Sequence, residues 1–581
     1  MYKLLKSIFP VLKNAILSGQ LFKGKAELIP PIDDIHADWD VNVPVSDDAN
    51  ILVNIFKSKK ALAEKRALPV IMCAHPYDNH LVSALGKTPF KGVPKQYRTI
   101  PQVGIPKFST LTSWESPDPN FWVANDYIVV NMNMPGYGGS TGTPSVLNRN
   151  QSKVFYEVIE WVAEQDWCNG NVGLNGVSFL AISQYHVAAC QDYENKTPKA
   201  LKCISPWEGI TDIYRDLVNS GGIPQEGFAN FWWALEIKHS LTGSSKDFIN
   251  SQGGKPTDFL VQHPFYDEFW EEKRAPCENI DIPILTCVSF SDVNLHTNGS
   301  YRSFTDVKSK EKWMYTHRNG KWDAYYSQEV LELTLRFMDY YLKDKKDNGW
   351  SETSPIRLEV RSSRDKIHEI RGENEWPISR TQYLKYYLTA NNKLLSSPEH
   401  SEGKLSYDGK KGVQNFRVTF TEDTEITGHA KLKVWMELQS KNANDFNVFT
   451  VLNKYDKTGK RVPFYGTVGN KEDVITRAFM RASFRELDKE KSTDIIPYHL
   501  FKGHKKINSG EIICMEIPFP PTSVYFYEGE TLELTLASYE IYPHLPMYKD
   551  NSLNTGGEHV IHTGGKFDSF LQLPIIPNIK N

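Results

Sequence analysis

The stretch Asn171–Ala181, with the sequence NVGLNGVSFLA, decides the fold. Residues 171–175 are apolar at alternate positions, which is typical of a short strand. The segment Ile182–Cys190 lacks Gly and Pro and contains good helix formers. Ser178 is therefore predicted to lie in a sharp turn between a strand and a helix, with Gly176 as the small neighbour that such a turn needs. This placement makes Ser178 a candidate nucleophile.

The turn matches the nucleophile-elbow pattern only in part. That pattern has a glycine two residues after the serine, where this chain has Leu180. The backbone N–H of Phe179 would lie at the positive end of the helix dipole, where it can donate to an oxyanion. Because serine-containing turns are common, the motif alone is only a hypothesis.

Strand-like and helix-like segments alternate on both sides of the turn. The predicted strands cover residues 68–74, 127–132, 171–175, 282–288 and 312–315. Apolar residues at helical spacing over 154–162 predict a crossover helix, and another helix is expected at 328–342. This alternation predicts an α/β core with a parallel sheet, in which active sites form at the carboxyl ends of the strands.

Two further regions differ from this pattern. Residues 211–281 mix aromatic and charged side chains without strand-like runs, which predicts an inserted helical cap. After about residue 352 strict alternation dominates, as at Leu432, Val434, Met436 and Leu438, and predicts antiparallel strands. The predicted organisation is an α/β-hydrolase core at 1–210 and 282–351, a helical cap at 211–281, and a jelly-roll-like β-sandwich at 352–581.

Composition narrows the functional classes. The 581 residues carry a net charge of -3 with 24% charged and 40% hydrophobic residues, so no bias toward nucleic acid or anionic membranes exists. No apolar run approaches the ~18 residues of a membrane span, and residues 1–25 predict an amphipathic helix instead. The partner expected from the sequence is a small molecule, and formation of a homo-oligomer stays open.

The cysteines predict a reducing compartment. Seven cysteines are scattered along the chain and never form a Cys-x-x-Cys pair, so neither a disulfide framework nor a zinc site is indicated. We therefore expect buried thiols and a cytoplasmic location.

A nucleophilic serine needs a histidine base and a carboxylate that orients it. The α/β-hydrolase order is serine, acid, histidine, and strand-end positions select Asp292 and His317. Asp281 precedes its strand and would lie at the wrong end of the sheet. His296, four residues after Asp292 and expected on the following helix, is a rival base. His75 is the other rival; it precedes the serine, contrary to the hydrolase order, but its strand-end position is expected to place it in the lining of the site.

A second oxyanion donor is expected besides the Phe179 N–H. Tyr77 follows the first strong strand, and its hydroxyl could reach over the serine turn. A tyrosine packed at a strand end is the alternative interpretation.

Together these residues resemble the cocaine esterase and X-prolyl dipeptidyl aminopeptidase family of serine hydrolases, also called CocE/NonD. The likeness covers nearly the whole chain. It rests on the blocks 76–78, 133–142, 160–167, 170–173, 176–181, 282–292, 554–557 and 569–577. Phe179, Ala181 and the acid motif Ser289-Phe290-Ser291-Asp292 depart mildly from the family pattern.

The resemblance implies roles for individual residues. It implies Ser178 as nucleophile, Asp292 and His317 as its triad partners, and Tyr77 with the Phe179 N–H as oxyanion hole. It implies neither a metal nor an organic cofactor, and it implies the same three-part architecture.

These residues do not decide the substrate. Members of the family that it resembles cleave esters, α-amino acid esters, acylated β-lactam precursors or X-Pro peptide bonds. The X-prolyl peptidases among them resemble longer chains with an extra N-terminal region, for which this chain is expected to lack room. This favours a carboxylesterase or small-amide acylase. The pocket candidates are Trp207, Glu208, Trp232, His75 and Phe290, with Glu208 as an anion for amine-bearing substrates. A non-catalytic binding protein is the alternative from another class.

Overall fold

The computed structural model describes residues 26–47, 49–80, 103–189, 196–293, 295–541 and 556–577. The helix expected in residues 1–25, Cys190, and residues 554 and 555 of the closing loop lie outside these ranges.

The first half of the chain is built around one mostly parallel sheet. Its strands and two short neighbours are β1 Glu27–Ile29, β2 Ile35–Pro44, β3 Asn50–Ser58, β4 Leu68–His75, β5 Lys107–Ser109, β6 Ile128–Asn133, β7 Cys168–Val177, β8 Leu201–Trp207, β9 Ile284–Ser289, β10 Lys312–His317, β11 Ile356–Arg361 and β12 Ile367–Glu373. All eight residues of β4 are buried, as expected for a strand covered on both faces.

Strand order follows the pairings β2-β3-β6-β4-β7-β8-β9-β10-β11-β12. Neighbours from β6 to β11 run parallel, while β2, β3 and β12 pair antiparallel at the two ends. The carboxyl ends of β4, β7, β8, β9 and β10 therefore meet at one edge of the sheet, where Tyr77, Ser178, Glu208, Asp292 and His317 lie.

Helices cover both faces of this sheet and form the region between β8 and β9. They are α1 Lys59–Ala63, α2 Pro119–Ala124, α3 Arg149–Ala163, α4 Phe179–Ala188, α5 Glu226–Trp232, α6 Lys238–Ser240, α7 Ser245–Gln252, α8 Pro256–Gln262, α9 Glu268–Glu272, α10 Thr297–Asp306, α11 Lys321–Tyr325 and α12 Gln328–Leu342. The crossover helix α3 begins after Asn148, whose side chain accepts the Gln151 N–H and so satisfies one free donor of the first turn. Its apolar stripe, with Val154 and Val158, packs into the main core.

The region between β8 and β9 is the helical cap. Besides α5 to α9 it contains two π-helical turns, Tyr214–Val218 and Trp233–Ile237. Trp270 anchors α9, because the residue is 1% exposed and its Nε1–H donates to the His263 carbonyl at 2.8 Å. The cap shares one hydrophobic core with the serine-bearing strand and helix.

The second half of the chain is all β. Its strands are β13 Gln382–Leu388, β14 Leu394–Leu395, β15 Gly403–Asp408, β16 Val413–Thr419, β17 Thr424–Gly428, β18 Lys431–Gln439, β19 Asn447–Tyr455, β20 Arg461–Val462, β21 Phe464–Gly466, β22 Asn470–Asp473, β23 Thr476–Arg481, β24 Ile512–Pro518, β25 Thr522–Phe526, β26 Thr531–Ala537, β27 Glu558–Thr563 and β28 Phe570–Ile576. One sheet has the order β16-β26-β19-β20, with β23 also on β19. The buried side chains of β18 and β26 meet in a separate hydrophobic core.

The predicted architecture of an α/β core, an inserted helical cap and an all-β C-terminal part is confirmed. Leu432, Val434, Met436 and Leu438 are all fully buried, as their alternation predicted. The domain bounds and the jelly-roll arrangement stay predictions. Among the described residues, no helix combines the length and apolar character needed to cross a membrane.

Candidate active site

Ser178 occupies a strained turn between β7 and α4. Its φ of 58° lies in the left-handed region, which a residue with a side chain adopts only where the surroundings impose it. The Ser178 N–H donates to the Trp207 carbonyl at 3.0 Å. A Cβ on Gly176 would lie 2.7 Å from the Leu180 Cβ, so only glycine allows strand and helix to approach this closely. The predicted strand, turn and helix are confirmed.

His296 is the histidine in contact with Ser178. The Ser178 Oγ and the His296 Nε2 are 3.2 Å apart, and the His296 Nδ1 is 2.5 Å from the Asp292 Oδ2. Asp292 and His296 are 3% and 2% exposed. Serine, imidazole and carboxylate thus form a continuous chain of hydrogen bonds, which is the arrangement of a catalytic triad.

A single turn of chain brings Asp292 and His296 together. The Asp292 carbonyl accepts the N–H groups of Leu295 and His296, both at 3.1 Å. This turn between β9 and α10 places the two side chains on one face, as for any pair four residues apart on a helix. His296 therefore lies just before α10, at the carboxyl edge of the sheet.

His317 does not lie where the sequence-based expectation placed it, beside Ser178. Strand β10 runs two residues beyond the predicted segment, and His317 is its last residue, paired in register with Ser289. Its Nε2 lies 3.0 Å from the Glu208 Oε1, and its ring stacks on Trp207 with centroids 5.3 Å apart. The rival base of the sequence analysis, His296, holds the position next to the serine.

Lys321, the first residue of α11, joins the two histidine and carboxylate pairs. Its Nζ is 3.1 Å from the Asp292 Oδ2, 3.0 Å from the His296 Nδ1 and 3.9 Å from the Glu208 Oε2. Burial disfavours the ammonium ion, but the facing carboxylates outweigh burial and raise the pKa of Lys321. Asp292, Glu208 and His296 are also grouped closely enough to ligate a cation, and the Lys321 ammonium lies against this group.

The pKa values of Asp292 and His296 are shifted by burial and by these neighbours. Burial would raise the pKa of Asp292, but Lys321 and His296 outweigh it and hold this pKa well below its usual value. Burial and then Lys321 lower the pKa of His296, while Asp292 opposes them. At neutral pH the site therefore contains a carboxylate next to a neutral imidazole, the protonation states that a general base requires.

Glu115 is a buried acid beneath the serine turn. Its carbonyl accepts the Val177 N–H at 3.2 Å, and its Oε1 accepts the Trp322 Nε1–H at 3.0 Å. Burial, opposed by Lys321, raises the pKa of Glu115 to about 8. Glu115 is thus expected to be protonated at neutral pH.

This raised pKa predicts a pH-dependent stability. Between the ordinary pKa of 4.5 and the folded value of about 8, only the unfolded chain releases the Glu115 proton. The stability gained from the neutral acid is therefore fully present below pH 4.5 and is lost as pH rises through about 8. We expect Glu115→Gln to lose less unfolding free energy than the wild type between pH 6 and 8.5, measured by urea denaturation. Equal losses in both proteins would contradict this prediction.

Tyr77 lies opposite the serine turn. Its hydroxyl accepts the Trp232 Nε1–H at 3.2 Å and keeps its own proton to donate. Burial and the carboxylates of Glu236 and Glu115 raise the pKa of Tyr77 well above its ordinary value, so the hydroxyl stays protonated. The Phe179 N–H belongs to the first turn of α4, where backbone donors have no partner within the helix.

One cavity is lined by Ser178, His296, Tyr77 and Phe179. Its described polar wall consists of Tyr77, Ser178 and His296, and the rest of its described lining is apolar. Its described apolar lining residues are Val146, Leu147, Phe179, Ile182, Ile210, Ile213, Leu217, Phe228, Trp232 and Leu295.

Of the five predicted pocket residues, the structure brings only Trp232 to this cavity. Trp207 and Glu208 lie beside His317, away from the lining, and Glu208 is fully buried. His75 lies beneath Tyr77, where its Nδ1 accepts the Tyr77 N–H at 3.2 Å. Phe290 belongs to a different core cluster and packs against Arg361. Burial at the strand ends, which sequence position alone does not reveal, directs these side chains into the interior.

The fold and the hydrogen-bonded serine, histidine and aspartate define an α/β-hydrolase. Two family models match the chain: X-Pro dipeptidyl-peptidase (S15 family) at residues 49–323, and the X-Pro dipeptidyl-peptidase C-terminal non-catalytic domain at residues 348–572. A CocE/NonD family hydrolase from Staphylococcus aureus is 33% identical, with a TM-score of 0.83 over 94% of both chains. The chain belongs to the CocE/NonD family of hydrolases, which confirms the family resemblance found in the sequence.

Two relatives with lower sequence identity are named for two different activities. A cocaine esterase from Rhodococcus sp. is 23% identical over 65% of this chain and 66% of its own length. A Xaa-Pro dipeptidyl-peptidase from Lactobacillus delbrueckii subsp. bulgaricus is 21% identical over 66% of this chain and 55% of its own length. The chain thus spans just under two thirds of the first protein and about half of the second.

Sequence reasoning missed Lys321 and Glu115, and it ranked His296 below His317. The spacing of Asp292 and His296 was a usable signal, because a helical turn brings residues four apart together. Nothing in the sequence around Glu115 or Lys321 indicates that their side chains converge on the strand ends.

Proposed function

We propose that the protein is a serine hydrolase that cleaves carboxylic ester or small amide bonds through an acyl-enzyme on Ser178. His296 acts as the general base, and Asp292 orients and stabilises it. This proposal replaces His317 by His296 in the triad expected from the sequence.

The first step forms the acyl-enzyme. The Ser178 Oγ attacks the substrate carbonyl carbon while the His296 Nε2 accepts the hydroxyl proton. Asp292, bonded to the His296 Nδ1, keeps the imidazole in the tautomer whose Nε2 is free to accept a proton. The resulting imidazolium then returns this proton to the leaving alcohol or amine as the bond to the carbonyl carbon breaks.

The second step releases the acid. A water molecule gives a proton to His296 and attacks the acyl carbon, and the Ser178 Oγ leaves as it regains a proton from His296. In both steps the carbonyl oxygen carries negative charge. The Tyr77 hydroxyl and the Phe179 N–H are the proposed donors to this oxygen.

The observation that carries this proposal is the hydrogen-bonded chain from the Ser178 Oγ through His296 to Asp292. A purely binding protein has no need for a strained serine beside a buried imidazole and carboxylate. The positive φ of Ser178 supports the same conclusion, because such strain is concentrated at functional sites.

The cavity favours uncharged, apolar substrates. Apart from Tyr77, Ser178 and His296, its described lining is aliphatic and aromatic. Glu208, the anion considered for an amine group, is already bonded to His317 and lies near Lys321. A substrate ammonium would lose its water shell in this cavity without meeting a carboxylate among the described lining residues.

The second candidate function is hydrolysis of X-Pro peptides or α-amino acid esters. It is supported by the S15 family match and by the name of the Xaa-Pro dipeptidyl-peptidase relative. The apolar cavity makes it the weaker candidate.

A panel of activated substrates separates the two functions. We expect kcat/KM for nitrophenyl butyrate to exceed that for alanine nitrophenyl ester and for Ala-Pro-nitroanilide by at least about tenfold, because the latter two bring an ammonium group to an apolar wall. Activity should be measured at constant pH and protein concentration, with Ser178→Ala as the blank. A preference for the amine-bearing substrates would favour the second function.

We also propose a cytoplasmic location and no nucleic-acid partner. The six cysteines in the described ranges are free thiols, which suits a reducing compartment. The net charge of -3 offers no electrostatic attraction to nucleic acid.

A further inference from the structure

Lys321 lies beside the site, although the proposed reaction does not need it as a reactant. It is not part of the serine, histidine and aspartate chain, yet its ammonium contacts the far side of that chain, at the Asp292 Oδ2 and the His296 Nδ1. Its side chain is 12% exposed, so its charge is held in the interior. A buried cation is costly unless it is paired, and its retention beside a base calls for an explanation.

From these contacts we infer that Lys321 is a positioning residue: it fixes the Asp292 carboxylate against the His296 Nδ1 and holds a positive charge beside the His296 imidazole. This inference rests on the proposed function, because it assigns Lys321 a task only if His296 is the base.

The geometry explains the positioning. The Asp292 Oδ2 lies 2.5 Å from the His296 Nδ1 and 3.1 Å from the Lys321 Nζ, so two donors share one oxygen. A lysine bonded to this oxygen restrains rotation of the carboxylate, which in turn restrains the imidazole. The Nδ1 contact with Asp292 is shorter than its 3.0 Å contact with Lys321, which favours the tautomer that donates to Asp292 and leaves Nε2 to accept from Ser178.

The electrostatics explain the protonation state. Asp292 stabilises a protonated His296, and burial and Lys321 both oppose it. The other titratable groups facing Lys321 are Glu208 at the end of β8 and Glu115 beneath the serine turn. His317, at the end of β10, is bonded to the Glu208 Oε1, whereas the Glu208 Oε2 is the oxygen nearer to Lys321. Without Lys321, the carboxylates of Asp292 and Glu208 would both favour the imidazolium form of His296.

The direction of the pH effect follows. Activity needs neutral His296, so it is present above the pKa of His296 and is lost as pH falls through it. Removing the positive charge of Lys321 raises this pKa, and the acidic limb of the activity profile moves to higher pH. A lysine that only stabilised the fold would leave the position of the limb unchanged.

The test compares Lys321→Met, Lys321→Arg and Lys454→Met with the wild type. Lys454 is 1% exposed, pairs with Glu530 in the C-terminal part, and serves as the matched control for loss of a buried lysine. The measurement is the pH dependence of kcat/KM for nitrophenyl butyrate, with urea denaturation to check folding.

We expect Lys321→Met to lower kcat/KM at pH 7 by about 10- to 100-fold, the scale for groups that act through another residue. Its acidic limb should move up by about one pH unit or more, as for removal of a like charge beside an ionisable group. Lys321→Arg should restore most of the activity and return the limb toward its original position, and Lys454→Met should leave the limb in place.

Two results separate this inference from the proposed function. The role of Lys321 alone is overturned if His296→Gln is inactive and the acidic limb of the Lys321→Met profile coincides with that of the wild type or lies at lower pH. An active His296→Gln overturns the assignment of His296 as the base, which is the part of the proposed function on which this inference rests. If Lys321→Met does not fold, Lys321→Gln provides the same comparison, and Lys321→Arg retains the charge.

Discussion

Ser178→Ala is expected to lower kcat for nitrophenyl butyrate by about a millionfold, the loss found when the serine of a catalytic triad is removed. Without the Oγ no acyl-enzyme can form, and the neighbouring His296 and Tyr77 cannot replace the missing nucleophile. The residual rate should come from substrate binding and the oxyanion donors alone, which leave about 10³- to 10⁴-fold over the reaction in water.

The fold of this variant should be intact. Alanine keeps the Cβ in the strained turn, and the Ser178 N–H bond to the Trp207 carbonyl is a main-chain contact that the substitution retains. The urea denaturation midpoint should therefore stay close to that of the wild type. A fluorophosphonate probe should label the wild type and not the variant. If the protein is a non-catalytic binding protein, the wild type should show no label on Ser178 either.

His296→Gln is expected to lower kcat/KM by about 10⁴-fold or more, the scale for loss of a triad member. Glutamine keeps a polar side chain near the Ser178 Oγ, but its amide accepts no proton at neutral pH. The loss should be in kcat, because His296 acts on the reacting proton and contributes little to ground-state binding. Steady-state kinetics with nitrophenyl butyrate measure both constants.

His317→Gln provides the matched comparison. His317 is as buried as His296, at 1% against 2% exposed, and it also bonds to a carboxylate. Because its partner is Glu208 and not Ser178, its replacement should cost no more than about 100-fold, the scale for groups behind a site residue. A larger loss in His317→Gln than in His296→Gln would restore the triad expected from the sequence.

The sequence predicted the fold well because its signals are local. Helix α12 begins and ends at the predicted residues 328 and 342, and the alternating residues of β18 are buried as expected. The strand, turn and helix around Ser178 follow from the small Gly176 and the apolar runs on each side. Each of these features depends on neighbours in the chain.

The site was predicted less completely because its partners are distant in sequence. Ser178 and Asp292 follow from strand ends and chain order. The choice between His296 and His317 depended on where β10 stops: its extension by two residues turns the His317 ring toward Glu208. Lys321 and Glu115 approach the site from α11 and from the segment before α2, and no spacing rule connects them with Ser178.

The choice of His296 as the base is the central claim, and the rate of phosphonylation of Ser178 tests it most directly. A fluorophosphonate needs only the nucleophile and its base, so its second-order rate constant, followed by intact-protein mass, is independent of substrate preference. We predict a fall of about 10³-fold or more in His296→Gln and a much smaller change in His317→Gln at pH 7. A rate that is retained in His296→Gln and lost in His317→Gln would contradict the account.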